Sequence, residues 1–109
     1  MSRTNYVDTI TYSGITSSAP KTVYEIPVGS AIRIFPTSAG TATVYSSGSP
    51  KNLVEKDDTE AKITGNTNAQ WSQWAAGAVT SSTIQAASVS QTAVALIVTS
   101  GTWTIEVCR

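Results

Sequence analysis

The amino-acid sequence predicts an all-β protein: a single-domain antiparallel β-sandwich, jelly-roll-like, of about eight strands. Three observations predict it. Ile and Val together number 19 against two Leu, with 15 Ser and 17 Thr; branching at Cβ restricts χ1 in a way that suits strands, and Leu is the usual helix filler. Apolar and polar residues alternate with period two along most of the chain. Finally, one pattern occurs twice, as "SAIRIFPTSAGTATVYSS" (Ser30 to Ser47) and "TAVALIVTSGTWTIEV" (Thr92 to Val107).

The elements follow in chain order. "DTITYS", Asp8 to Ser13, alternates Ile10 with Thr9 and Thr11 and reads as a strand. Residues 1–8 are polar and read either as an extended N-terminal arm, able to add a strand to a neighbour's sheet, or as a frayed terminus. "KTVYEIPVG", Lys21 to Gly29, reads as a short or edge strand, because Pro20 and Pro27 cannot donate to a ladder. Each copy of the repeat reads as a hairpin, with period two on both sides of a Gly-containing turn at Pro36–Gly40 and Thr99–Gly101. Aligned at the glycines, Gly40 to Val44 matches Gly101 to Ile105.

Two hairpins so far apart fit facing sheets better than a stacked repeat array. "AVALIV" is apolar on both faces and therefore needs cover on both. One side belongs to the core; the other calls for a partner subunit, a neighbouring loop or a curved sheet. Trp103 alternates with Ile105 and Val107 and reads as core. Ser49-Pro50 suits a helix start, with a short strand as the alternative. Trp71 to Ile84 reads as one strand ending near Gly77 and another from Val79 to Ile84.

The residue types exclude several chemistries. The chain has no histidine and one cysteine, Cys108. Ser-His-Asp and Cys-His catalysis, histidine zinc sites and a thiolate cage are therefore out of reach, as is an intramolecular disulfide. No phosphate-cradling glycine motif is present. Seven basic and seven acidic residues cancel, leaving no basic footprint for nucleic acid. No apolar run reaches the roughly 20 residues of a membrane span, and "MSRTNYVDTITYS" lacks a signal-peptide core. The expectation is a soluble, non-enzymatic protein without cofactor or metal, folding in a reducing cytoplasm. Asp57, Asp58 and Glu60 offer oxygen ligands, but their spacing matches no calcium loop and they read as a solvated loop.

The candidate contact residues are aromatic: Tyr6, Tyr45, Trp71 and Trp74. On a strand, Trp71 and Trp74 point to opposite faces, so that at least one falls outside the main core; on a helix or irregular turn they can share a face. Core packing, a subunit interface and stacking on sugars all remain open for them.

"SQTAVALIVTSGTWTIEVCR", Ser90 to Arg109, and "WSQWAAGAVTSST" before it resemble the closing segments of small tailed-phage virion proteins. Such chains end in an Ala-rich apolar strand, a Gly turn and a Thr/Val strand. In size the chain is most similar to capsid decoration (cement) proteins. The resemblance implies a structural virion protein, made in the host cytoplasm and bound to the outside of an icosahedral capsid. Its partner would be the major capsid protein, and it would sit there as a homodimer or homotrimer on a symmetry axis. The alternatives are another virion component (head-tail connector, fibre or tail-tip module) and a carbohydrate-binding β-sandwich.

Overall fold

The computed structural model describes residues 9–109. The arm reading of residues 1–8, and Tyr6 with it, lie outside the described residues. Eight strands form: β1 (Thr9–Ile15), β2 (Lys21–Ile26), β3 (Ala31–Ser38), β4 (Ala42–Ser47), β5 (Ser72–Gln73), β6 (Thr83–Ala86), β7 (Gln91–Val98) and β8 (Thr102–Cys108). Two short helices, α1 (Lys51–Val54) and α2 (Glu60–Thr64), lie between β4 and β5. Sheet A has the order β1-β8-β3-β6 and sheet B the order β2-β7-β4-β5, every neighbour antiparallel. β1 pairs with β8, β2 with β7, β3 with β6 and β4 with β5, so the chain is one long ribbon rolled into two sheets. That is the jelly-roll arrangement.

The repeated units are not hairpins. β3 and β4 lie in different sheets, as do β7 and β8, so the chain crosses the sandwich at each glycine turn. The two copies pair with each other instead, β3 with β8 and β4 with β7. A short glycine turn looks the same in sequence whether the chain doubles back within one sheet or bridges two. The crossing wins because each copy then offers one strand to each sheet and both inner faces are buried. Ile32, Ile34, Ala42, Val44, Val94, Leu96, Val98, Trp103, Ile105 and Val107 all enter one core. The Trp103 indole N–H is satisfied by the Ser100 carbonyl at 3.1 Å.

The two crossing turns touch. A Cβ on Gly40 would overlap the Ser100 carbonyl, and one on Gly101 would lie 2.6 Å from the Ser38 and Ala39 carbonyls. Thr41 N–H donates to the Ser100 carbonyl (3.1 Å), and Thr99 N–H donates to the Thr41 carbonyl (2.8 Å). Glycine at both positions lets the two backbones meet.

Several strand limits differ from the sequence expectation. β3 continues through Pro36 to Ser38, because β6 pairs only with Ala31–Ile34 and no ladder bond is needed on that side beyond it. Val23 and Ile26 both reach the core although three apart; Glu25 between them takes φ 61°, which re-aims the chain. The segment from Trp71 to Ile84 holds only β5, a single bridge from Val79 to Ala42, and the start of β6. Gly77 closes a turn there by donating its N–H to the Trp74 carbonyl at 2.9 Å.

The second apolar face of β7 is covered by the chain itself. Ala93, Ala95 and Ile97 pack under Val54, Ile63, Ala69 and Trp71, with Leu53, Tyr24 and Tyr45 at the margin. The stretch from Gly48 to Trp71 thus forms a lid on sheet B. Of the covers that "AVALIV" called for, the structure supplies a neighbouring loop.

Candidate interaction surfaces

The lid is pinned by a buried carboxylate. Asp57 sits between α1 and α2 and is 1% exposed. Its Oδ1 accepts from Asn68 Nδ2 (2.7 Å) and Asn68 N–H (3.2 Å); its Oδ2 accepts from Ala69 N–H (2.8 Å) and the Trp71 indole N–H (2.9 Å). Burial alone would raise the Asp57 carboxyl pKa. The donors from Ala69, Trp71 and Asn68 outweigh it and hold the group below its usual range. Reading Asp57, Asp58 and Glu60 together as a solvated loop is therefore corrected for Asp57: Asp58 and Glu60 are exposed, whereas Asp57 is internal. Nothing in the sequence links Asp57 to donors 11 to 14 positions away. Asp58 is held low by Lys62, whose Nζ donates to it at 3.1 Å. Among the described residues no group of three or more His, Cys, Asp or Glu side chains converges on a metal-sized site.

The aromatic candidates separate as the strand alternative expects, flanking the two-residue β5. Trp71 enters the cluster beneath the lid and Trp74 enters the main core, on opposite sides of sheet B. Each is 6% exposed, so neither offers a free ring face. Tyr45 is half-buried at the edge of the lid cluster, with its hydroxyl 3.4 Å from Gln73 Oε1. The structure thus brings Tyr45 and Trp71 together and sends Trp74 away.

The outer face of sheet A is more exposed than that of sheet B. Register places Thr9, Cys108, Ala31 and Ala86 in one outward row, and Thr11, Glu106, Arg33 and Ile84 in another. Phe35, half-buried, and Thr104, which is buried, follow at the margin of this face. Arg33 Nη2 donates to Glu106 Oε1 at 2.6 Å, and its guanidinium lies 5.0 Å from the Phe35 ring centroid. Ile84 is 66% exposed. No layer like the lid of sheet B covers this face among the described residues. The alternation of β8 already placed Glu106 opposite to Trp103; Ile84 was missed, because β6 is too short for a clear period.

Two lesser features complete the surface. At one end of the sandwich the β2–β3 and β6–β7 turns lie side by side, joined by Gly29 N–H to the Ala87 carbonyl (2.8 Å) and Val28 N–H to Ser90 Oγ (3.2 Å). They expose Val28 and Val89. A groove of about 500 Å³ runs between the Ser17–Pro20 turn and the start of α2, floored by Ile97 and Val98. Comparison with known proteins returns no family model, no curated protein and no solved structure that matches this chain.

Proposed function

We propose that this chain is a structural binding domain, a decoration protein that docks on the outside of an icosahedral phage capsid, with the major capsid protein as partner. The observation that carries the reading is the unequal covering of the two sheets. Sheet B is sealed by the chain's own lid, whereas the outer face of sheet A carries no such layer among the described residues. That face mixes small residues, one ion pair and the exposed Ile84. Ser/Thr-rich strands give such a face hydrogen-bonding capacity without the desolvation cost of bare charge. A formal net charge of zero lets neighbouring copies sit close.

The size of the face fits an array better than a solitary complex. Four strands over four complete register rows span about 260 Å² at ordinary strand spacings. A standard stable interface takes about 800 Å² from each partner. One copy binding through this face alone holds weakly. Many copies in symmetric register, linked as oligomers, gain effective concentration. Stacking on sugars through Trp71 or Trp74, the alternative contact chemistry, requires the lid or core to open.

The test is co-sedimentation of purified protein with capsids that lack it. The expected result is saturable uptake at a symmetry-defined copy number. Ile84→Asp should abolish that uptake while leaving the thermal unfolding midpoint nearly unchanged, since its side chain is already in water. Absence of uptake by the unaltered protein would overturn the reading.

A further inference from the structure

We infer that the edge of β1, unpaired among the described residues, is a homodimer interface, where β1 pairs antiparallel with β1 of a second copy about a twofold axis. An edge strand presents unpaired N–H and C=O groups, and folded proteins usually blunt such edges. Among the described residues this sandwich has four: β1 and β6 in sheet A, β2 and β5 in sheet B. Three are blunted. β5 is two residues long. β6 is four residues long, and where it stops, β3 carries Pro36, which has no N–H to offer. β2 lies between Pro20 and Pro27, carries Lys21 and Glu25, and has its pleat broken by the left-handed Glu25.

β1 has none of these devices over its regular part. It is seven residues long, TITYSGI, without charge or proline and rich in strand formers. Its irregularity comes at the far end, where the register to β8 shifts between Tyr12 and Ile15 around Gly14, at φ 73°. Ile10 and Tyr12 stand opposite Val107 and Ile105, so they point inward, yet Ile10 is half-exposed and Tyr12 is 37% exposed. One further strand on this edge would cover both. Lys21 Nζ lies 3.9 Å from the Tyr12 ring centroid; since Lys21 belongs to β2, this charge approaches from the other sheet.

A second β1 satisfies the face requirement of an antiparallel ladder. Pairing centred on Thr11 sets Thr11 against Thr11, Ile10 against Tyr12 and Thr9 against Ser13. Every inward residue then meets an inward one, and no like charges oppose. The same patch serves both subunits, as a twofold interface demands. The product is a continuous eight-stranded sheet that doubles the open face of sheet A. The dimer does not depend on the capsid reading.

The test uses the free full chain, away from any capsid, by sedimentation equilibrium from about 1 to 100 µM. A monomer–dimer equilibrium is expected. Thr11→Lys keeps the monomer intact, because position 11 neighbours Glu106, but sets two lysines opposite each other across the axis. It should weaken dimerisation at least about tenfold with an unchanged circular-dichroism spectrum. Thr11→Cys in a Cys108→Ser background should give a disulfide-linked dimer on mild oxidation, since directly opposed strand residues lie within bridging distance. Ile84→Asp should leave the dimer intact, which separates failure here from failure of capsid binding. A monomer throughout the range, a trimer, or a dimer indifferent to Thr11→Lys would overturn the inference.

Discussion

Replacing Asp57 by alanine tests the claim that one buried carboxylate holds the lid on sheet B. The substitution removes four hydrogen bonds. Two of their donors, Ala69 N–H and the Trp71 indole, belong to buried residues and have no water to turn to. Stranding a buried donor costs about 1–3 kcal/mol, so the pair costs about 2–6 kcal/mol. That is a large share of the 5–15 kcal/mol typical of a domain. Asp57→Asn should cost less, about 1–3 kcal/mol. Its remaining oxygen can face Ala69 and Trp71, while the Asn68 amide turns to meet the new NH₂. The assay is urea unfolding followed by tryptophan fluorescence, with hydrogen exchange read over Gly48 to Trp71. Exchange should rise in the lid before it rises in β3, β7 and β8, because Asp57 lies outside the main core. Losses below about 1 kcal/mol for Asp57→Ala, with lid exchange unchanged, would refute the reasoning.

Other outcomes follow from the same geometry. The Asp57 carboxyl is held below its ordinary pKa, so its stabilisation is fully present above that ordinary value and is lost as pH falls through the lowered one. Acid titration should therefore loosen the lid below about pH 4, and Asp57→Asn should flatten that dependence. Gly40→Ala and Gly101→Ala should each cost about 1–3 kcal/mol in chemical denaturation, by forcing a Cβ against the facing turn. The double variant should cost less than the sum, since one separation of the turns relieves both clashes. Glu106→Gln should change stability by less than about 1 kcal/mol, an effect fading in high salt, because Arg33 and Glu106 remain 48% and 23% exposed.

Much of the fold was legible before any coordinates. Alternation in β3, β4, β7 and β8 identified the strands and their inward faces. The all-apolar "AVALIV" announced that β7 is covered twice. The three-residue spacing of Trp71 and Trp74 sends them to opposite sides on a strand, although a helix or irregular turn would have let them share one. These features are local: the pleat turns successive side chains to opposite faces whatever strand lies alongside.

What the tertiary structure alone decided is partnership. Which strand lies next to which depends on burying both inner faces at once, and the partners are far apart in the chain, as with Arg33 and Glu106 across 73 positions. No local pattern distinguishes a turn within a sheet from a turn between sheets, so the repeated unit read as two hairpins and proved to be two crossings. For the same reason Asp57 looked solvated, since its donors come from a later loop that folds back over it. The edge position of β1 and the more exposed outer face of sheet A are likewise products of packing, defined among the described residues by which strands lie alongside.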